Sequence, residues 1–403
     1  MVASEGALAG LRILDLTGLR GALCGRMLAD MGADVIKVEP PGGEPTRTLG
    51  PFAGDQPHPD RSLKFWFYNL NKRSIVLDFG HARGAELLLR LVESADVVIE
   101  SFDPGFLDRL GLAWDVLRQR NPALILCSLT PFGQTGPYRD YLADDSILSA
   151  LGGMLYVNGF PGEPPLRPLG LQAYHFGSIM GACAIMCGLF GRLREGRGQW
   201  IDLSIHEATV CGLEQVPGQW REFQISEQRR GTQHWTGGFR AVRCSDGRYL
   251  LNCTLGDFNT LLEWLKSENA AQDLVEPQWQ DPMYRRAHAA HMFDVIDAWI
   301  KHHTAQETLE QAQLLRLAFS VVRSTEELLD DQQLAARGYF VAVDHPELGR
   351  QFLYPGAPYQ FGATPWRLYR RPPLLGEHTR DVLTQELGIS VEELEVLHAE
   401  GVC

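Results

Sequence analysis

The sequence predicts an α/β protein built on a parallel sheet, and two observations lead to that prediction. Near the N-terminus, LRILDLT has the composition of a strand, RGALCGRMLADMG that of a helix and ADVIKVE that of a second strand. A strand–helix–strand run of this length forms a βαβ unit with parallel strands. Further along, the strands SIVLDF, DVVIE and ALILCSL alternate with helices. This alternation is typical of a doubly wound, Rossmann-like domain.

Changes in the residue pattern along the chain divide the 403 residues into more than one domain. The usual domain length of roughly 100 to 200 residues suggests the same. We expect 1–224 to form the N-terminal part of a large domain. Hairpin signals followed by amphipathic helices predict a smaller α+β domain over 225–325. The segment 326–403 is expected to return to the large domain.

The composition excludes several classes of function. A formal charge of −13 and an isoelectric point near 5.4 argue against broad binding to nucleic acid or to an anionic membrane. The eight cysteines are scattered, which favours a reduced cytoplasmic compartment. Cys183 and Cys187 lie four apart, but no matching pair completes a zinc site, so we expect them to pack in the core and expect no metal site. We also expect no signal peptide and no membrane-spanning helix.

The glycines after the first strand allow one alternative, a dinucleotide-dependent dehydrogenase. Glu39 ends the second strand about where an acidic residue would meet a ribose. However, Gly18, Gly21 and Gly25 give G-x-x-G-x-x-x-G, and Arg20 would intrude where a pyrophosphate needs close backbone approach. A dehydrogenase is therefore the less favoured interpretation.

The segment LQAYHFGSIMGA, residues 171–182, opens a long apolar helix but offers little for acid–base chemistry. Between Asp145 and Asp202 the only carboxylates are Glu163 and Glu195. His175 stands among aromatic residues, where a histidine is more often packed and hydrogen-bonded than a general base. The local sequence therefore identifies no nucleophile.

A series of motifs, in order along the chain, gives the sequence a family resemblance. They are LAGLRILDLT, LADMGADVIKVEPPGGEPTR, NLNKRSIVLDF, ADVVIESFDPGFLDRLGL, GQTGPY, REGRGQWIDLSIHEA, PGAPYQF and LGEHT. Together they resemble the family III CoA-transferases. The resemblance implies two interlocked chains in a ring, each with a Rossmann-like large domain and a small domain, and an active site between chains.

The resemblance also implies where CoA binds. The adenosine diphosphate end would lie after the first strand, at the NKR turn and on the helix after the acidic strand. A phosphate-bearing ligand on an acidic protein requires local cations, although an NKR turn before a strand can equally be a solvated turn. The implied residues are Arg20, Leu70, Lys72, Arg73, Phe102, Phe106 and Arg109. CoA is expected as a thioester substrate, with no tightly bound cofactor.

The catalytic Asp that the resemblance implies is missing. Counted back from Arg192, which begins the R-x-x-x-G-R-G-Q signature, its position falls at Tyr174, or at Ala173 if one residue is inserted. In the family the Asp attacks the thioester to give a mixed anhydride and then an aspartyl thioester. A phenol or a methyl group cannot form that anhydride. Related racemases need a histidine upstream, where this chain has Asp144 and Asp145.

The resemblance therefore implies a chain that has lost its nucleophile and works with a homologous, Asp-bearing subunit. Two-subunit members of the family imply succinyl-CoA as donor, an aromatic acceptor of the benzylsuccinate kind and a role in anaerobic aromatic degradation. The alternatives are a homodimeric transferase with another nucleophile and a non-enzymatic CoA-binding homologue. The run Trp235, Thr236, Gly237 and Gly238 is a candidate lid loop or, equally, a hairpin turn.

Overall fold

A computed structural model describes residues 6–233, 238–254 and 257–403 of the chain. Its strands are β1 (Arg12–Asp15), β2 (Asp34–Glu39), β3 (Arg73–Val76), β4 (Val97–Glu100), β5 (Ile125–Thr130), β6 (Gln199–Ser204), β7 (Phe239–Arg243), β8 (Tyr249–Cys253), β9 (Ser320–Val321), β10 (Phe340–His345) and β11 (Arg350–Pro355).

Helices alternate with these strands in the first half of the chain and dominate the second. They are α1 (Ala22–Asp30), α2 (Leu63–Tyr68), α3 (Ala82–Glu93), α4 (Phe106–Arg109), α5 (Trp114–Arg120), α6 (Asp145–Leu151), α7 (Met154–Val157), α8 (Gln172–Glu195), α9 (Ile205–Cys211), α10 (Val216–Phe223), α11 (Phe258–Ser267), α12 (Pro282–Ala287), α13 (Ala289–Ile300), α14 (Ala305–Leu314), α15 (Gln332–Ala336), α16 (Thr379–Asp381) and α17 (Val391–Ala399).

The first six strands form one sheet in the order β3-β2-β1-β4-β5-β6, and each neighbouring pair is parallel. The four residues of β4 and the six of β5 are all buried, as expected of parallel strands covered on both faces. The strand order reverses between β1 and β4, which is where doubly wound proteins bind ligands. The predicted α/β fold with a parallel sheet is confirmed.

The chain divides into two compact units. The first comprises Met1–Met154, Leu169–Glu214 and Gln332–Cys403, and so includes the six-stranded sheet. The second comprises Leu155–Pro168 and Gln215–Asp331, whereas the sequence predicted a small domain over 225–325. Its three antiparallel strands, β7, β8 and β9, contribute to a core that includes Leu265, Trp279 and Phe319.

Helix α8 differs from two expectations. By length and composition alone its 24 residues could cross a membrane, although we expected no such helix from the sequence. One side packs in the core, where a Cβ on Gly177 would lie 2.8 Å from the Ile205 side chain and one on Gly181 would lie 3.1 Å from Leu129. The other side is exposed and carries Cys183 and Cys187. The prediction that these two cysteines pack in the core was wrong, because it did not distinguish the two sides of an apolar helix.

A buried ionic cluster joins the end of β1, a residue of β2 and the turn before β3. The Nζ of Lys72 lies 2.7 Å from one oxygen of Asp15, and the Nζ of Lys37 lies 3.5 Å from the other. All three residues are fully buried. Asp15 also accepts hydrogen bonds from the Thr17 backbone N–H at 2.9 Å and hydroxyl at 2.6 Å. One carboxylate therefore fixes the turn that follows β1.

The charge state of the cluster follows from its pairing. Burial alone would raise the pKa of Asp15, but Lys37 and Lys72 lower it to about 2. Burial lowers the pKa of the Lys72 ammonium, and Asp15 acts in the opposite direction. Lys72 also donates to the Ala22 carbonyl at 3.0 Å and to Asn69 Oδ1 at 2.9 Å. The ammonium is thus held inside the fold by several acceptors, as a buried charge requires.

Gly25 lets helix α1 approach this cluster, and its replacement should destabilise the first unit. A Cβ there would lie 2.4 Å from the Asp15 carboxylate and 3.1 Å from Lys72 Nζ. We expect Gly25→Ala to lower the free energy of unfolding by about 3 kcal/mol, because it forces apart a buried ion pair. Gly218→Ala is the matched control, since that helical glycine has nothing within 4 Å of its Cβ position. Equal urea midpoints for the two variants would contradict the prediction.

Candidate functional site

A cavity of about 680 Å³ opens at the carboxyl ends of the parallel strands. Its walls are the segments that follow β1, β2, β3 and β4, together with one residue of α8. The lining residues are Leu16, Thr17, Gly18, Leu19, Arg20, Val38, Pro40, Glu44, Pro45, Leu77, Asp78, Phe79, Gly80, Ser101, Phe102, Phe106, Leu110 and Tyr174. Because the strand order reverses between β1 and β4, the cavity occupies the crevice where this fold class binds its ligands.

The turn after β1 forms one wall of the cavity and carries Arg20. The N–H of Gly18 donates to the Ser101 hydroxyl at 3.0 Å, which ties this turn to the segment after β4. The Arg20 guanidinium lies 3.0 Å from Asp103, whose side chain is 65% exposed. Arg20 is thus a cation at the cavity that pairs with a largely exposed carboxylate and also lies beside the Tyr174 phenol.

Phe102 and Phe106 form an aromatic wall on the β4 side. Their rings are stacked with centroids 4.6 Å apart, and Phe79 meets Phe102 edge-on at 5.8 Å. A stacked pair of this kind presents a flat apolar surface to a ligand. Arg109, exposed on α4, lies with its guanidinium carbon 5.8 Å from the Phe106 ring centroid. Of the residues predicted to bind CoA, three therefore line the cavity and Arg109 lies beside it.

The NKR turn, residues 71–73, is buried, so it neither lines the cavity nor faces solvent. Lys72 belongs to the buried cluster with Asp15. Arg73 is bound by Asp34 and Glu386 and is nearly buried. Leu70 is fully buried in an apolar cluster. None of these predicted CoA residues lines the cavity, and their contact with CoA stays a prediction.

Asn71 explains why this turn is internal. Its side-chain amide donates to Asp30 at 2.8 Å and to the Arg367 carbonyl at 3.0 Å. Its side-chain oxygen accepts from the backbone N–H groups of Tyr369 and Arg370 at 2.9 and 3.1 Å. The turn therefore anchors the returning C-terminal segment, and the charges beside it serve the fold.

The start of α8 is where the implied nucleophile would lie. Tyr174 lines the cavity and is only 7% exposed, whereas Ala173 is fully buried in the apolar core. Asp145, at the start of α6, accepts a hydrogen bond from the Tyr174 N–H at 3.1 Å. Of the two positions that the spacing allowed, Tyr174 is the one that faces the cavity.

The neighbouring side chains are neutral groups. Burial raises the pKa of Tyr174, and the nearby Arg20 guanidinium opposes this rise. Burial also raises the pKa of Tyr68 to about 12 and lowers that of His175, whose Nε2 lies 2.8 Å from the Tyr68 hydroxyl. Phenols and an imidazole in these states supply hydrogen bonds and no anionic nucleophile.

Glu100 lies in a second cavity beside the first, and its role was not predicted from the sequence. It is buried at the end of β4 and accepts a hydrogen bond from the Phe102 N–H at 2.7 Å. Burial raises the pKa of Glu100 to about 7. With Trp114 and Trp200 it lines a second cavity of about 400 Å³. The sequence pattern that could have identified Glu100 is the glutamate at the end of the otherwise apolar strand DVVIE.

The remaining site predictions concern the lid and metals. Trp235, Thr236 and Gly237 lie outside the described residues. Gly238 is described, and its carbonyl accepts from the Thr254 N–H at 2.8 Å. The lid role of this run stays a prediction. Within 6–233, 238–254 and 257–403, no group of three or more His, Cys, Asp or Glu side chains could hold a metal ion.

A doubly wound sheet with a cation and stacked aromatics at its switch point defines a class of proteins that bind nucleotide-like ligands. The sequence profile of CoA-transferase family III matches residues 8–379, and the chain belongs to that family. The family resemblance predicted from the sequence motifs is thereby confirmed.

Individual relatives cover nearly the whole chain. The BbsE subunit of succinyl-CoA:(R)-benzylsuccinate CoA-transferase from Thauera aromatica is 34% identical over 399 residues, 97% of this chain and 96% of the relative. The beta subunit of succinyl-CoA–L-malate CoA-transferase from Chloroflexus aurantiacus is 32% identical over 407 residues, 98% of each chain. A crystal structure of a CAIB/BAIF family protein from Brucella suis is 28% identical, with a TM-score of 0.83 over 94% of this chain and 99% of that chain.

The raised pKa of Glu100 predicts a specific dependence of stability on pH. The folded chain holds this proton up to about pH 7, whereas the unfolded chain releases it near 4.5. The unfolded state therefore binds fewer protons between these values, and stability falls as pH rises through that window.

Glu100→Gln resembles the protonated glutamic acid and should remove this loss of stability at higher pH. We expect the free energy of unfolding of the variant to equal that of the unchanged chain at pH 4 and to exceed it by about 3 kcal/mol above pH 7. Urea unfolding at several pH values measures the difference, with the exposed Glu195→Gln as control. A difference that does not change between pH 4 and pH 8 would contradict the assignment.

Proposed function

We propose that this chain is the non-nucleophilic subunit of a heteromeric CoA-transferase. The complex moves CoA from an acyl-CoA donor, succinyl-CoA, to a carboxylate acceptor. The names of two relatives give succinyl-CoA as the donor in their reactions. CoA is here a substrate that enters and leaves, and no resident cofactor is needed for the exchange.

One observation carries the proposal: the residue that faces the cavity at the start of α8 is a tyrosine. Acyl transfer through an enzyme anhydride requires a carboxylate there, and Tyr174 has a phenol whose pKa is raised by burial. Asp145 is close, but it is 4% exposed, it binds the Tyr174 backbone and it does not line the cavity. Under this proposal the nucleophile comes from another chain.

The exposed side of α8 supports a protein partner. Met180, Cys183, Met186, Phe190 and Leu193 recur every three or four residues and are exposed, Phe190 by 67% and Leu193 by 81%. An apolar stripe of this length is typical of a protein interface. Relatives named as subunits of two-subunit transferases support a homologous, Asp-bearing chain as the partner. We propose that the two chains interlock.

The ligand assignments follow from the cavity. We propose that Arg20, Phe102, Phe106 and Arg109 contact CoA, since cations pair with its phosphates and aromatic rings stack on its adenine. The acceptor is proposed to be an aromatic dicarboxylic acid of the benzylsuccinate kind, by analogy with the Thauera relative. We further propose a role in anaerobic aromatic degradation and a cytoplasmic location.

The test compares the chain alone with a complex. The tagged chain is purified by itself and after co-expression with an Asp-bearing homologue from the same genome, and CoA transfer from succinyl-CoA to benzylsuccinate is followed by chromatography. We expect the homologue to co-purify and the complex to exceed the chain alone by at least about 1,000-fold in rate. Equal rates would favour a homodimer with another nucleophile. CoA binding without any transfer by the complex would favour a non-enzymatic homologue.

Substitution at the two candidate positions separates their roles. Tyr174→Asp puts a carboxylate at the cavity, so we expect the variant to fold. Ala173→Asp buries an unpaired carboxylate in the apolar core, and we expect it to lower the free energy of unfolding by about 4 kcal/mol. Circular dichroism and urea midpoints measure this contrast. Similar stability of the two variants would contradict the placement of α8.

A further inference from the structure

We propose that the second cavity, the one lined by Glu100, binds a small organic ammonium ion. The cavity has a volume of about 400 Å³ and lies within the first unit. It shares Phe102 and Phe106 with the cavity proposed for CoA, and its further walls come from α4, α5, β5 and β6. The proposal adds a ligand to this chain and does not depend on whether the chain takes part in CoA transfer.

Aromatic rings form much of the lining. Trp114 at the start of α5 and Trp200 on β6 join the stacked pair of Phe102 and Phe106. Among the described residues that line this cavity there is no lysine, arginine or histidine. The faces of aromatic rings attract a desolvated cation, and tryptophan does so most strongly. The lining is therefore typical of a site for an organic cation.

Glu100 supplies a buried acceptor for such a cation. It is 4% exposed, and its hydrogen-bond partners are neutral: the Phe102 N–H donates to it at 2.7 Å, and the Ser128 hydroxyl also bonds to it. The Trp200 indole N–H donates to the Ser128 oxygen at 2.9 Å, which leaves the hydroxyl proton for Glu100. Among the described residues no lysine or arginine pairs with Glu100. An ammonium ion in the cavity would supply the cationic partner that a buried carboxylate requires.

Three exposed carboxylates of the lining have arginines beside them, and these arginines lie outside the lining. The ion pairs are Asp103 with Arg20 at 3.0 Å and Asp115 with Arg118 at 2.8 Å. Near Asp108, a Cβ on Gly105 would lie 3.4 Å from Arg139 and 3.7 Å from Arg109. The exposed acids are thus balanced by the protein itself, whereas the buried Glu100 lacks a cation.

The lining suits an organic cation better than a metal ion. In the part of the chain that the structure describes, no three acidic, histidine or cysteine side chains converge to hold a metal. An ammonium group needs only one carboxylate, to which it donates charge-assisted hydrogen bonds. Its alkyl chain can contact Leu107, Leu112 and Leu126, which line the same cavity. Cavities that combine apolar walls with a few polar groups orient a ligand through those groups.

The charge of Glu100 couples this binding to pH. Burial raises the pKa of Glu100 to about 7, and Asp108 on α4 and Asp202 on β6 raise it further. Cys127 on β5 is a neutral thiol, because burial raises its pKa to about 12. An ammonium ion favours the ionised carboxylate, so below pH 7 its binding must release the proton of Glu100. We therefore expect the affinity to fall by about 10-fold from pH 8 to pH 6.

A matched pair of probes tests the proposal on the full chain by ligand-observed NMR titration. Butylammonium and butan-1-ol have the same length and differ in the charge at one end. We expect the ammonium ion to bind about 10-fold more tightly at pH 8. Glu100→Gln should remove both this preference and its dependence on pH. Glu195→Gln, the same exchange at an exposed position outside the cavity, should change neither.

A second pair of variants tests the aromatic wall. Trp114→Leu should weaken butylammonium binding by about 5-fold, and Trp114→Phe, which keeps a ring, should weaken it less. Equal binding of the two probes, or a preference that survives Glu100→Gln, would overturn the proposal. Displacement of butylammonium by CoA would show that both ligands use one cavity and would also overturn it. These outcomes concern the second cavity alone, so the proposed CoA transfer by a complex would stand in each case.

Discussion

The buried pairing of Asp15 with Lys72 and Lys37 is the interaction on which the site depends. It joins the end of β1, a residue of β2 and the turn before β3, and through Thr17 it holds the segment that carries Arg20. Removing one member would leave a buried charge without a partner, which typically costs about 3 to 5 kcal/mol. The turn that carries Arg20 is therefore held in place by buried charges that do not themselves line the cavity.

This arrangement separates cations that serve the fold from cations that can serve a ligand. Lys72 and Arg73 have protein partners inside the first unit, whereas Arg20 and Arg109 are at or beside the cavity. An acidic chain can bind a phosphate-bearing substrate in this way without a broad basic surface. The residue at the start of α8 occupies the position where the family resemblance implies the nucleophile. Tyr174 lines the cavity at that position, where the family resemblance implies a carboxylate.

Much of the fold could be predicted from the sequence, because parallel buried strands are continuous apolar runs and alternate with helices. The family resemblance implied that Arg20, Phe102 and Phe106 belong to the site, and all three line the cavity. The orientation of Lys72 could not, since a lysine after a turn has the same sequence pattern whether it meets solvent or a buried Asp 57 positions earlier. The sequence also could not show which side of α8 is buried, because both sides are apolar and only packing distinguishes them.

We propose that the covalent step takes place on a chain other than this one. The most direct measurement is intact-protein mass spectrometry of both subunits of the active complex after incubation with succinyl-CoA and rapid acid quenching. We expect a covalent CoA adduct on the Asp-bearing subunit and none on this chain. A CoA or succinyl adduct on this chain, mapped by peptide digestion to the start of α8 or to Asp145, would contradict it.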